Sequence, residues 1–197
     1  MKISATTIAA SALALVGLCA QAFELPENVP DATFSMPINP ADKNSATVNI
    51  TGTIQHAVAQ MEADHPGWTD IFMAQAPSAH AQSTYAELAT DPTYDCSIVG
   101  DGLAKTYYIT QGISYLNALP GDAQNDPGKC GRVSCSYNAA ISWCNTSKNF
   151  KTVPWWALAL ATSDMIPQCD GKEKAGWMKG RADYANGWEV VVHGDPC

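Results

Sequence analysis

The amino-acid sequence predicts a disulfide-stapled α+β domain, a β-α-β-β-α-β-β sandwich with two helices on a mostly antiparallel sheet, preceded by an acidic, partly helical leader. Three observations carry this expectation. Six cysteines (Cys96, Cys130, Cys135, Cys144, Cys169 and Cys197) lie between residue 96 and the last residue, 197. From residue 93 to 193, strand-like and helix-like segments alternate between clear turn signals. The charge is also split: residues 23–95 hold ten acids against one base, Lys43, while residues 96–197 hold nine of each.

The start of the chain sets the redox context. Lys2, an apolar run from Ile8 to Leu18 and the small-x-small triplet Ala20-Gln21-Ala22 form the pattern of a secretory signal peptide over residues 1–22. The seventh cysteine, Cys19, would leave with it. An even count in a secreted chain implies three disulfides, with connectivity open. The cysteine spacings of 34, 5, 9, 25 and 28 residues contain no paired Cys-x2-Cys, and His193 is the one histidine in that stretch. Zinc is therefore not expected, and no cofactor is implied. No later stretch approaches the ~20 apolar residues of a membrane span.

Residues 23–92 read as an acidic, proline-rich, cysteine-free leader: seven of the twelve prolines precede Cys96. Within it, residues 53–63 place Ile54, Val58 and Met61 on one helical face, with Thr51 or Thr53 as cap and His65-Pro66-Gly67 as stop. A second short helix is expected over 83–89. The leader is expected to be an extension on a compact domain; a pro-segment is the alternative, although no dibasic processing site occurs.

Residues 93–197 form the expected domain. The stretch 93–99 is β-rich, and 103–119 reads as a helix with Tyr108, Gly112, Tyr115 and Leu119 in a stripe, stopped by Pro120-Gly121. A polar loop is expected over 122–129. Two short strands follow, 131–136 and 139–145, with Tyr137-Asn138 as the turn. That turn sets Cys135 opposite Ala140 and Cys144 opposite Gly131, so Cys135 and Cys144 should not pair with each other. A second helix begins near Pro154, with Thr152 as possible cap, runs through Trp156 and Leu160, and closes at Pro167. Strands over 176–185 and 188–193 are joined by Asn186-Gly187, whose turn favours positive φ at both positions.

The stretch CGRVSCSYNAAISWCN (130–145), the helix ending in Cys169 and the close GWEVVVHGDPC resemble a widespread group of small secreted fungal proteins. Members of that group carry a similar Cys-Gly-Arg-Val-Ser-Cys-Ser block, a preceding helix like GISYLNAL and a final strand ending in cysteine. The resemblance covers roughly 94–197 and leaves the leader unmatched. More distantly, the element order and the terminal cysteine resemble the α/β-sandwich of smut-fungus killer toxins and of necrosis-inducing effectors of plant-pathogenic fungi. The resemblance implies a secreted effector or toxin-like protein. It supplies no catalytic residue, and fold analogy alone does not establish function.

Chemistry-bearing motifs are scarce. Gly-x-Ser-x-Gly, His-Glu-x-x-His and phosphate-cradling glycine loops are all missing from the sequence. Glu189, His193 and Arg181 could serve a small hydrolase, ribonuclease- or glycosidase-like, as base, acid and charge stabiliser. The plainer expectation for Glu189 and His193 is a polar pair on the solvent side of an edge strand. The run GKEKAGWMKGR places Lys172, Lys174, Lys179 and Arg181 around Trp177, a candidate binding surface working through charge and cation–π contact. Its plain alternative is a solvated strand. Trp155 and Trp156 point about 100° apart on a helix, so one can be buried while the other lies near the rim. The acidic net charge of −8 argues against nucleic acid as partner. Asn49 and Asn145 head N-glycosylation sequons, and Asn145 falls at a strand-to-helix connection expected to be exposed and to carry a glycan on the outer surface. Together these residues predict a secreted effector or toxin-like binding protein, monomeric and non-catalytic, that recognises a host or competitor component: a protein, a glycan or a membrane channel. A small secreted hydrolase and a passive cell-wall protein are the alternatives.

Overall fold

The computed structural model describes residues 25, 26, 28–75, 91–98 and 102–197. The expected signal peptide and the expected helix over 83–89 lie outside them. The fold is α+β, with four helices, antiparallel sheets and three disulfides among the described residues. None of these helices is long and apolar enough to cross a membrane.

The cysteine-free segment is more structured than its composition suggests. Strands β1 (Ala32–Pro37) and β2 (Thr47–Gly52) form an antiparallel hairpin in which Phe34 faces Ile50. Period-two alternation buries Phe34, Met36 and Ile50 on one side. Helix α1 (Ile54–Asp64) starts as its sequence indicates: the Thr53 hydroxyl accepts a hydrogen bond from the His56 N–H at 3.3 Å, and Ile54, Ala57, Val58 and Met61 are buried. Helix α2 (Trp68–Met73) was not expected. The carboxylate of Glu62 accepts from the N–H groups of Gly67 and Thr69, both at 2.8 Å, and so caps its start. Those two bonds hold the Glu62 pKa below the usual carboxylate range. The Trp68 indole donates to the carbonyl of Pro37 at 2.9 Å and stacks on Phe72.

The second segment contributes β3 (Thr93–Asp95), β4 (Ala104–Lys105), α3 (Thr106–Ala118), β5 (Asp122–Asn125), β6 (Cys130–Ser136), β7 (Ala139–Asn145), β8 (Lys151–Pro154), α4 (Trp155–Cys169), β9 (Trp177–Met178), β10 (Gly180–Tyr184) and β11 (Trp188–Gly194). Five of these strands form one sheet in the order β3-β10-β11-β7-β6, every pairing antiparallel. Strand β11 is thus the middle strand, not an edge, and it separates β7 from β10. Two ribbons, β4-β9 and β5-β8, flank the sheet. The polar stretch expected to be a loop therefore contains β5, whose Ala123 is buried opposite Val153.

Both helices of this segment lie on the same face of the sheet. A Cβ added to Gly112 of α3 would meet Ser134 Oγ at 2.3 Å, and one added to Gly180 of β10 would meet Cys169 Sγ of α4 at 2.8 Å. Glycine is what allows each close approach. Helix α3 buries Ile109, Gly112 and Leu116, so its inward stripe is rotated from the one read in the sequence. In α4, Pro154 is the residue before the helix, Thr152 does not cap it, and the helix runs on to Cys169 through Pro167. Pro167 has no N–H to donate within this last turn, and the chain leaves the helix at Asp170.

The β6-β7 turn is at Tyr137-Asn138, both with positive φ (50° and 59°), and Cys135 faces Ala140 as expected. A bulge between Arg132 and Ser134 then shifts the register, so Cys144 faces Cys130 instead of Gly131, and those two form a disulfide. The other bridges are Cys96–Cys169 and Cys135–Cys197. The last hairpin also differs from expectation. Tyr184 pairs with Trp188 across three loop residues, and only Gly187 of the Asn186-Gly187 pair takes positive φ.

Residues of the leader pack into the same buried cluster as the stapled segment. Phe34 stacks on Trp155 with centroids 5.0 Å apart, and Gln55 of α1 donates to Ser134 Oγ at 2.7 Å while accepting from the Cys135 N–H. Arg132 joins three parts of the chain, with ion pairs to Asp31 at 2.7 Å and Asp195 at 2.8 Å and a hydrogen bond to the carbonyl of Pro196.

Candidate functional site

The basic run singled out in the sequence is divided between two strands. Trp177 lies in β9, which pairs with β4, while Arg181 lies in β10 of the main sheet. Lys174 places its ammonium 4.1 Å from the centre of the Trp177 ring, a cation–π contact within the run. Lys179 is paired with Glu173 at 3.1 Å, and Lys172 is exposed. Arg181 points elsewhere, to Asp95 at 3.5 Å and Glu189 at 3.8 Å. Lys172, Lys174, Trp177 and Lys179 therefore share a local surface, and Arg181 belongs to the opposite face of the sheet from α3 and α4.

That opposite face is polar and yet largely closed. Its register sets Asp95, Arg181 and Val191 side by side, then Asp183, Glu189 and Cys144, with His193 beside Ala140. Glu189 is only 1% exposed and His193 4%, on a strand with neighbours on both sides. The expectation of an exposed polar pair on an edge strand is thus corrected. Glu189 Oε1 has no hydrogen-bond partner, and burial pushes the carboxyl up to about 7; Arg181 opposes that rise and Asp183 adds to it. His193 Nε2 lies 3.4 Å from Ser142 Oγ. Glu189 and His193 are four residues apart on one strand, which at a strand's rise separates them by about 13 Å. Neither the grooves nor the exposed surface described below includes Glu189, His193 or Arg181.

The two sequons differ in kind. Asn145 is fully buried: its amide donates to the carbonyls of Asn125 (3.0 Å) and Asn149 (2.8 Å), and its Oδ1 accepts from the N–H and hydroxyl of Ser147. Its nitrogen is committed to holding the β7-β8 connection, which corrects the expectation of an exposed glycan there. Asn49 is exposed on β2.

Two surface features were not read from the sequence. Tyr137, 76% exposed at the β6-β7 turn, stacks on Tyr108 at 4.5 Å, with Tyr107 edge-on beside them and Lys105 Nζ 5.7 Å from the Tyr108 ring. The α3 stripe and the turn each contained half of this cluster, but only the fold brings them together. The second feature is a pair of neighbouring grooves, one of about 560 Å³ between β1 and β5 and one of about 580 Å³ between Pro26, Asn28 and Pro30 and the β5-β6 connection. A smaller groove of about 360 Å³ lies by the Cys135–Cys197 bridge, lined by His56, Asp31 and Arg132. Among the described residues, no group of three His, Cys, Asp or Glu side chains is placed to hold a metal ion.

These features define a disulfide-stapled α+β protein with an exposed aromatic cluster and polar surface grooves. No protein-family model matches the chain, and no curated protein and no solved structure shows significant similarity to it.

Proposed function

We propose that this is a secreted effector or toxin-like protein that binds a component of a host or competitor and does no chemistry on it. The observation that carries this reading is the burial of Glu189 and His193, the residues on which the hydrolase alternative depends. Three further features support it. The disulfides tie β3 to α4, β6 to β7 and β6 to the C-terminal residue, so exposed groups are presented from a frame held by covalent bonds. The half-exposed Trp177 carries Lys174 on its face, and tryptophan is a residue type enriched among interface hot spots. The likeness of residues 94–197 to small secreted fungal proteins points the same way. Secretion itself rests on the signal-peptide pattern and on the oxidising environment that disulfides need.

The test applies purified oxidised protein to plant tissue and to competing fungi, with reduced protein as control. A response to the oxidised form, kept within a few-fold by Glu189→Gln and His193→Ala and lost with Trp177→Ala/Lys179→Ala, is the expected result. A hundred-fold loss with His193→Ala in a protein of unchanged circular dichroism would instead establish the hydrolase reading.

A further inference from the structure

We propose that the paired grooves along β5 form one elongated site for a neutral oligosaccharide chain, which names the ligand class within the binding reading above and rests on it. The two grooves share Pro30, Gln124, Asn125 and Cys130 along their walls, so they run into one another. Each has the volume of a small-molecule site.

The chemistry of the walls selects the ligand. Asn28, Asn49, Gln124 and Asn125 line the grooves with side-chain amides, and Thr33 and Ser35 add hydroxyls. An amide offers donors and an acceptor together, the complement of neighbouring sugar hydroxyls, which also do both. Phe150, 58% exposed, gives the second groove an aromatic face, while Trp143 and Trp155 at the back of the first are buried. Aromatic faces suit the C–H faces of sugar rings. Charge argues against an anion. Asp31, Asp122 and Asp126 line the grooves against one cation, Lys129, and Asp31 is already paired with Arg132. The amides and carboxylates would be stripped of water without compensation by a lipid chain.

The floor is kept open by a missing side chain. A Cβ at Gly131 would lie 3.7 Å from Asn125 Nδ2 and 3.8 Å from Ala32 Cβ, between the two walls. A larger side chain there narrows the groove.

The experiment is calorimetric titration of the full oxidised chain, produced without N-glycans because Asn49 lines the site. The probes are chitohexaose, cellohexaose and laminarihexaose, with a galacturonic acid hexamer and inorganic phosphate as anionic probes. At least one neutral hexamer is expected to bind saturably. Gln124→Ala/Asn125→Ala should weaken it at least tenfold, Gly131→Val should abolish it, and Lys43→Ala, at an exposed residue outside both grooves, should leave it unchanged. Gln124 is exposed, so Gln124→Ala alone gives a variant whose folding is not at risk. The proposal is overturned if no neutral hexamer binds, if only the anionic probes bind, or if affinity survives in a folded Gln124→Ala/Asn125→Ala variant. A tissue response without glycan binding would end this inference and leave the effector reading standing; glycan binding without any response would do the reverse.

Discussion

The cysteine-free segment 25–75 supplies Phe34, Met36, Ile54, Met61, Trp68 and Phe72 to the buried core, while the segment 91–197 supplies all three disulfides. The first is held by packing, one aromatic stack, the polar ties at Gln55 and Asp31 and a backbone bond from the Arg132 N–H to the Pro30 carbonyl. The second has the same kinds of contact with covalent bonds added. Cysteine content therefore marks how each part is held, not whether it belongs to the core. Lacking staples, the first segment depends on large apolar side chains, each of which stabilises by about 1.5–3 kcal/mol when fully buried.

The largest effect expected from this comparison comes from reduction. Removing Cys96–Cys169 by a double serine substitution should cost about 4 kcal/mol, because it closes a 73-residue separation, and removing Cys130–Cys144, which closes 14, about 3 kcal/mol. Urea denaturation of the two variants measures both. Equal losses, or a larger loss for the short loop, would mean that the bridges act by other means than restricting the unfolded chain.

The next test asks whether the two segments unfold together. Phe34→Ala removes the ring stacked on Trp155 and should cost about 3–5 kcal/mol, in one cooperative transition reported equally by the tryptophans of both segments. A protease site built into residues 76–90 sharpens it: after cleavage, the two pieces should remain together on a sizing column. Two separate transitions, or separation of the pieces, would restore the picture of an appended leader.

Much of this arrangement is legible in the sequence where the signal is local. Thr53 and the Ile54, Val58, Met61 spacing specify α1, and Tyr137-Asn138 specifies the β6-β7 turn. Helix α2 has six residues, too short for helical periodicity to register, and its cap comes from Glu62 of the preceding helix. The alternation of Phe34 and Met36 was present but lay in a proline-rich context. Glu189 lies on a strand between β10 and β7, and strand order is long-range information. The grooves escape for the same reason, since β1 and β5 are about ninety residues apart in sequence.

Glu189 allows a test of the polar sheet face against the apolar one. Its carboxyl sits at about 7 in the folded protein against an ordinary value of 4.5, so the folded state holds the proton more tightly than the unfolded chain. Its favourable contribution is complete at and below about pH 4.5, is lost as pH rises to about 7, and changes no further above that. The full difference is at most about 3 kcal/mol. Relative to the native chain, Glu189→Gln should gain stability at pH 8 compared with pH 4.5, measured as urea midpoints of both proteins at both values. A pH-independent difference would mean that ionisation at 189 carries no cost.

The smallest effects separate the two sequons, one in each segment. In the stapled segment, Asn145→Ala removes two amide donors and an oxygen that accepts two bonds, leaving the carbonyls of Asn125 and Asn149 without them. Buried groups that lose their partners cost about 1–3 kcal/mol, so this variant should melt several degrees lower whether or not the host glycosylates. In the cysteine-free segment, Asn49 is exposed on β2, and Asn49→Gln should leave the melting temperature unchanged. In a glycosylating host the same substitution should remove all N-glycan mass from the intact protein, because the Asn145 nitrogen is occupied by two carbonyls once β7 and β8 are joined. Mass spectrometry before and after glycosidase treatment reads this directly. Glycan left on the Asn49→Gln protein would place it on Asn145, and would require that the transfer occur before the β7-β8 connection closes.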